Sequence, residues 1–328
     1  MLRLWGQALY TIPRVDLAAV DPVTRWLILA RVSVVVMTAT SALIGGLLAV
    51  RGDVFDWSLL ILTALGLVLA HTASNLVNDF WDFERGADSE DSPRVNYGPH
   101  PLRSEAAQFR SFVMITLALL AAATAIGVYL TVATTPWVLV FALSGGLMLL
   151  LYSGGPLPLK YFGFGEIAVF IIWGPLMIGG AYFVMAEELP LWVVVASLPY
   201  AFGVTTVLMG KHLDKLSFDT ERHIRTMPML LGEAGARRAT QALSIAMYAS
   251  VVALVVWQRM PGLLLVAGAL PLLLLVLRGY ESPKPKEPPD GYPGWPLWFV
   301  GFAFIHNRRF GMLFIAGLSL QLIGEAII

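Results

Sequence analysis

HTASNLVNDFWDFERGAD, residues 71–88, ends an apolar run long enough to cross a bilayer with a cluster of amides and carboxylates. At about 100° per residue, His71, Asn75, Asn78, Asp79 and Asp82 fall within roughly 80° of one another. One helix face thus carries a polar stripe, while Leu76, Val77 and Trp81 face elsewhere. Ionisable groups at membrane depth cost at least about 2.5 kcal/mol each unless they are paired, hydrated or metal-bound, so two carboxylates one turn apart predict a cationic partner. Gly86 can turn the chain back and bring Asp88 to the same spot. Hard oxygen donors at these spacings suit a divalent ion, particularly magnesium shared with a phosphate. The competing reading is a helix end at the water interface with solvated acids; two asparagines on the same face as the acids weigh against it.

The remaining sequence sets this stripe in a membrane. The 328 residues are 57% apolar and 13% charged, with zero net charge and a mean hydropathy of +0.73, whereas soluble domains carry about 25% charged residues. An all-α polytopic membrane protein is expected, forming a single domain with the lipid bilayer as its surroundings. No basic cluster resembles a nucleic-acid footprint, so no nucleic-acid partner is expected. The absence of cysteine excludes disulfides, thiolate metal sites and a cysteine nucleophile. The first 25 residues lack the basic, apolar and small-residue regions of a secretory signal; Trp5, Tyr10 and Arg14 read as an interfacial lead-in.

Nine apolar runs of roughly membrane-spanning length can be drawn, at 26–50, 57–80, 109–132, 136–152, 166–185, 190–209, 238–257, 261–278 and 310–327. Nine spans place almost every Lys and Arg on one side; of 22, only Arg51 and Arg259 fall opposite, beside Glu187 and Glu188. The positive-inside rule then puts the N-terminus in the cytoplasm, with the plasma (inner) membrane as the host. Two long polar loops, 84–108 and 210–238, are expected to be cytoplasmic and to build the active site. Residues 279–309 read as a Pro-rich loop followed by an interfacial or partly inserted aromatic segment, LWFVGFAFIHNRRF.

The second charged stretch is GKHLDKLSFDTERHIRT, residues 210–226. On an uninterrupted helix His212, Lys215 and Asp219 lie within about 60° of one another, and Asp214 points the opposite way. Lys211, Lys215, Arg222 and Arg225 give this loop a basic character that the first stretch lacks. Acids on one loop and cations on the other are what a metal diphosphate requires, although a solvated cytoplasmic loop would carry similar charges. Arg94 in the first loop joins Lys211 and Arg222 as a candidate anion-binding cation, with Asn75 and Asn78 alongside. Between the two stretches, LLYSGGPLPLKYFGFGE (150–166, with Leu149 before it) forms a tight turn with Lys160 as its only cation and Tyr152 and Tyr161 as its hydroxyls. A snorkelling lysine would look the same.

Together, NLVNDFWDFERGAD, the YSGGP stretch, GPLMIGGAYFV (174–184) and the charged loop after the sixth span resemble the UbiA superfamily of intramembrane prenyltransferases. The menaquinone branch, 1,4-dihydroxy-2-naphthoate polyprenyltransferase, is the most similar. The resemblance implies nine transmembrane helices around a central cavity open sideways to lipid. It also implies Mg2+-dependent transfer of a polyprenyl chain from its diphosphate to an aromatic acceptor. Asn75, Asp79, Asp82 and Asp88 match the first, metal-binding motif; Tyr152 and Lys160 match the central loop and are implied to contact diphosphate or acceptor. Asp79, Asp82, Tyr152, Lys160 and Lys215 are the implied catalytic set. Phe80, Trp173 and Tyr182 are candidates to shield an allylic cation by their ring faces.

The second motif departs from that branch, which reads roughly Asn-Asn-x-Arg-Asp-x-x-x-Asp. With its last Asp at Asp219, Lys215 stands where an Asp belongs and Asp214 where an Arg belongs. Either a local shift lets Asp214 and Asp219 ligate metal, or His212 and Asp219 ligate while Lys215 contacts phosphate directly. Two other classes fit the same residues: a relative acting on another acceptor, such as homogentisate, a chlorophyllide or a glycerol phosphate, and a transporter of an anionic lipid or metabolite.

Overall fold

The computed structural model describes residues 2–13, 15–90, 92–103, 108–156, 158–292 and 294–327; Arg14, expected at the interface, lies outside them. The chain opens with a short amphipathic helix, α1 (Leu2–Tyr10), followed by α2 (Pro22–Leu29) and α3 (Val32–Arg51). The apolar run at 26–50 is therefore two helices. Asp21 caps α2 by accepting from the Thr24 N–H at 3.0 Å, Pro22 pre-sets its first turn, and Arg31 breaks the chain in a left-handed conformation at φ 57°. The second span, α4 (Trp57–Glu84), is capped by Asp56 and runs a full turn beyond the apolar stretch, so the acidic stripe is helical throughout.

After α5 (Pro93–Tyr97) come α6 (Phe109–Ala133), α7 (Val138–Ser153) and α8 (Gly165–Ala186). In α8 the ladder loosens to a π-helix over Ile172–Gly179, around Pro175, which has no N–H to donate. The chain continues through α9 (Leu191–Asp214), α10 (Leu216–Glu221), α11 (Met227–Gln258), α12 (Pro261–Gly279) and α13 (Phe299–Ile327). Among the described residues, eight helices are long and apolar enough to cross a membrane, and α7, at 16 residues, is a shorter ninth. No strand occurs among them; Phe162 and Arg225 form one isolated bridge.

The helix α9 is the centre of the bundle. Its Ala196, Tyr200 and Val204 pack with Ile44 and Leu48 of α3, Met247, Val251 and Leu254 of α11, and Phe310 and Phe314 of α13. Small residues bring the backbones close: a side chain on Gly45 would sit 2.6 Å from the Ile178 carbonyl. Helices α6 and α7 instead leave Met114, Leu117, Leu143 and Leu147 exposed, as a lipid-facing wall does.

Two sequence boundaries are corrected. The aromatic segment before residue 310 is not a separate interfacial piece but the first three turns of α13, because no proline interrupts Phe299–Ile327 and its N-terminal N–H groups are capped from α9. The seventh span begins inside the expected loop, at Met227, and is kinked at Gly232 (φ 69°, ψ 164°).

Candidate active site

The last turns of α4 deliver Asp79 and Asp82 into a buried polar layer. Asp79 is fully buried between two guanidinium groups, Arg31 at 2.8 Å and Arg94 at 3.0 Å. Burial alone would depress the Arg94 pKa; the Asp79 carboxylate reverses this and holds it above the ordinary arginine value. Asp82 accepts from the Lys160 ammonium, the Tyr161 hydroxyl at 2.7 Å and the Asn78 amide at 3.1 Å. Burial likewise opposes the Lys160 charge, and Asp82 overcomes it, so the ammonium stays protonated. Burial pushes the Tyr161 phenol up, which keeps it a donor.

The YSGGP turn is locked onto α4. Ser153 donates to the Asn78 side-chain oxygen, and Arg85 donates to the Ser153 and Gly155 carbonyls. Gly154 leaves no room for a side chain, since a Cβ there would sit 2.5 Å from the Trp81 indole nitrogen. Gly86, at φ 70°, turns the chain, and the Asp88 N–H reaches back to the Asp82 carbonyl at 3.1 Å. Asp88 is thereby buried next to Asp79, with His100 Nε2 3.1 Å from its carboxylate. The other ring nitrogen of His100 accepts the Leu102 N–H at 3.2 Å, which fixes the tautomer that donates to Asp88.

Asp79, Asp88 and His100 offer three donor atoms within 4.8 Å of one another. The Asp79 Oδ1 accepts no aligned hydrogen bond, its partner being the Arg31 guanidinium of the ion pair. This donor set fits a hard divalent ion held by carboxylates, with His100 orienting Asp88. Asn75 sits one turn below; its amide donates to the Ala30 carbonyl at 3.0 Å, and its own carbonyl accepts from Arg31.

The second charged stretch closes over the first: Arg222 lies 3.9 Å over the Phe218 ring and donates to Ser89 at 3.1 Å. The helix is interrupted at Lys215, between α9 and α10, yet Lys215 pairs with Asp219 at 3.6 Å and both are buried. Neither Asp219 carboxylate oxygen accepts a hydrogen bond. His212 Nδ1 meets Glu166 at 2.6 Å, leaving its Nε2 buried without a partner. Asp214, included above among the metal ligands, is elsewhere. Its oxygens accept the Trp298, Phe299 and Val300 N–H groups at 3.0 Å each, and Lys284 stands 3.7 Å away. It caps α13 and is not among the ligand atoms that cluster at the end of α4.

A cavity of about 1650 Å³ opens beneath this layer. Arg31, His71, Asn75, Asn78, Tyr152 and Lys211 border it at the charged end, and Leu130, Val138, Phe141 and Val184 at the other. Val138 and Tyr152 lie fourteen residues apart on α7, so the cavity runs about 21 Å along the helix at 1.5 Å per residue, much of the bilayer's hydrocarbon depth. Of the three aromatic candidates, Trp173 borders it and meets the His71 ring edge-on at 5.0 Å. Tyr182 packs against Trp192 near Gly52 at the far end, and Phe80 packs with Leu76 and Phe112.

A charged layer with a cation-poised carboxylate set above a membrane-deep apolar cavity agrees with what comparison with known proteins finds. Residues 37–307 match the UbiA prenyltransferase family model. The chain belongs to the UbiA prenyltransferase family. It is a membrane-embedded transferase, and the transport alternative is set aside. A 1,4-dihydroxy-2-naphthoate octaprenyltransferase of Bacillus subtilis (strain 168) is 26% identical over 255 residues, 76% of each chain. Its counterpart in Mycobacterium leprae (strain TN) is 30% identical over 226 residues, 68% of this chain and 73% of that one. The fold is shared with a UbiA homologue from Aeropyrum pernix K1 (TM-score 0.64, 20% identity, 88% of this chain and 98% of that one). It is also shared with one from Archaeoglobus fulgidus bound to GPP and Mg2+ (TM-score 0.61, 16% identity, 90% and 99%).

Arg31, His100, Tyr161 and Glu166 join this UbiA site although the sequence pattern passed over them or gave them no specific role. Arg31 had a signal: it is a lone cation inside an apolar run, which by default needs a partner. Nothing local marks His100, whose position depends on the Gly86 turn.

Proposed function

We propose that this protein transfers a polyprenyl group from its diphosphate to 1,4-dihydroxy-2-naphthoate in menaquinone biosynthesis, working in the plasma membrane with its charged loops and N-terminus in the cytoplasm. The observation that carries the reading is the continuity of the cavity, from the Arg31, Asn78 and Lys211 end to the apolar floor at Val138 and Phe141. An amphiphile with an anionic head and a long apolar tail matches that polarity gradient. The two 1,4-dihydroxy-2-naphthoate octaprenyltransferases among the relatives support that acceptor.

In this reading Asp79, Asp82 and Asp88, with Asn75 and Asn78 alongside, form the metal-binding side, and Asp219 faces it from the second loop. A bound divalent ion supplies positive charge to the departing diphosphate. Lys160, held charged by Asp82, supplies a fixed cation on the same side and Lys211 an amine that the diphosphate would hold charged, with Arg94 and Arg222 closing the layer. As the allylic carbon–oxygen bond breaks, the diphosphate leaves with the electron pair. A ring carbon of the acceptor donates the pair for the new carbon–carbon bond, and the ring regains aromaticity as the substituent at that carbon departs without its bonding pair, as carbon dioxide from a carboxylate-bearing carbon or as a proton from an unsubstituted one. Dry cavity walls protect the allylic cation from water, Trp173 faces it with a ring, and Tyr152 offers a hydroxyl to the acceptor.

The test is transfer from a radiolabelled polyprenyl diphosphate by the purified protein in Mg2+, with 1,4-dihydroxy-2-naphthoate offered beside homogentisate, a chlorophyllide and a glycerol phosphate. Labelled prenyl naphthoate is expected. Transfer only to another acceptor would replace the naphthoate, and none to any would remove the reading. Orientation is checked by single cysteines at Ser217 and Glu188, which a charged maleimide should label from the cytoplasmic and the outer face respectively.

A further inference from the structure

The two charged loops do not offer equal places for a cation. In the first, Asp79, Asp88 and His100 cluster within 4.8 Å. In the second, Asp214 is bound to three N–H groups of α13 and the Nδ1 of His212 to Glu166; Asp219, the second oxygen of Glu166 and the Nε2 of His212 are left without hydrogen bonds, but among the described residues they form no cluster of three ligand atoms like that of the first loop. The near neighbour of Asp219 is already a cation, the buried Lys215 ammonium at 3.6 Å. A second divalent ion would find no three-ligand cluster there among the described residues and a lysine already set against Asp219, and these residues do not fit it.

One turn earlier on α9, Lys211 borders the cavity and lies within electrostatic range of Lys160, Arg31, Lys215 and Asp82. Arg31 and Arg94 are paired to Asp79, Lys160 to Asp82, and Lys215 to Asp219. Among the described residues no carboxylate pairs with Lys211. A half-buried lysine in a low-dielectric wall, with no carboxylate paired to it among the described residues, is held in its charged form best by an anion that arrives with the ligand.

We propose that Lys211 and Lys215 form a built-in cationic clamp that binds the donor's diphosphate directly, in the place where a second divalent ion would otherwise act, so that the chain works with one ion. The proposal rests on the prenyl-transfer reading and deepens it. Lysine suits this role because a compact charge with three rotatable donors can follow phosphate oxygens as negative charge builds on them.

The experiment is Mn2+ titration of the purified full-length chain, followed by electron paramagnetic resonance, with geranylgeranyl S-thiolodiphosphate as an unreactive donor. One Mn2+ per chain is expected in the ternary complex. Lys211→Gln should weaken the analogue's Kd about tenfold with the Mn2+ count unchanged, and Lys215→Asp, which puts a carboxylate opposite Asp219, should raise the count to two. Two Mn2+ in the native chain would overturn the clamp and leave the transfer reading intact. So would Lys211→Gln with an unchanged analogue Kd and a raised acceptor KM, or Lys215→Asp that still binds the analogue with one Mn2+. No binding of the analogue to the native chain would remove the donor reading, and the clamp with it.

Discussion

The end of α4 and the end of α9 look alike in the sequence, each an apolar span that runs into a charged loop, yet they put their carboxylates to different uses. At α4 all three are gathered into one buried layer, each facing a cation or a histidine from a distant part of the chain: Arg31 and Arg94, Lys160, and His100. At α9 one carboxylate caps a helix, one pairs with a lysine of its own turn, and the cavity wall carries Lys211, with no carboxylate paired to it among the described residues. The same residue types therefore yield an acidic end, to which the proposed function assigns the ion, and a basic end, to which it assigns the diphosphate. A charged loop's composition does not say which of its acids are structural; that depends on which N–H groups lie within reach.

The contrast is broken most severely at Asp79. Replacing it by Ala strands two buried guanidinium groups, and removing one partner of a buried ion pair costs about 3–5 kcal/mol, so Asp79→Ala should lose both prenyl transfer and thermal stability. A variant melting like the native protein would mean that Arg31 and Arg94 have other counter-charges. Arg31→Ala probes the same pair from the other side and should lower Tm by a comparable amount. Chelation comes next: EDTA should reduce transfer to background without altering Tm, because the ion pairs hold the fold, and Mg2+ should restore it. Full turnover in EDTA would deny the acidic end its ion. The smallest effect belongs to the cap. Asp214→Ala should cost about 1–2 kcal/mol as the first turn of α13 loses its acceptor, measured by chemical denaturation, with kcat within a few-fold of native.

Much of this was legible beforehand, for reasons that differ by residue. The helical period alone put Asp79 and Asp82 on one face, because both lie on a single unbroken helix, and Gly86 announced the turn that buries Asp88. The number of spans followed from apolar length, and α7 was readable although short. Arg31 was hidden by a run of hydropathy that averaged over a break; its left-handed conformation is a tertiary outcome of pairing with Asp79 and the Asn75 carbonyl. Asp214 could not be assigned from its neighbours, since the N–H groups it caps lie more than eighty residues away. The beginning of α13 was misplaced for the same reason: the helix starts where that distant cap sits, eleven residues before the apolar run expected to span.

The most direct measurement sets the two ends against each other with isosteric changes. Asp82→Asn and Asp214→Asn each remove one charge and little volume, and both can be assayed for labelled prenyl transfer at saturating Mg2+ alongside the native protein. Loss of at least about a hundredfold in kcat is expected for Asp82→Asn, in keeping with removal of a preorganised electrostatic group, and near-native turnover for Asp214→Asn. Native-like turnover in Asp82→Asn, or an inactive but folded Asp214→Asn, would contradict the division into an ion-binding end at α4 and a capped, cationic end at α9.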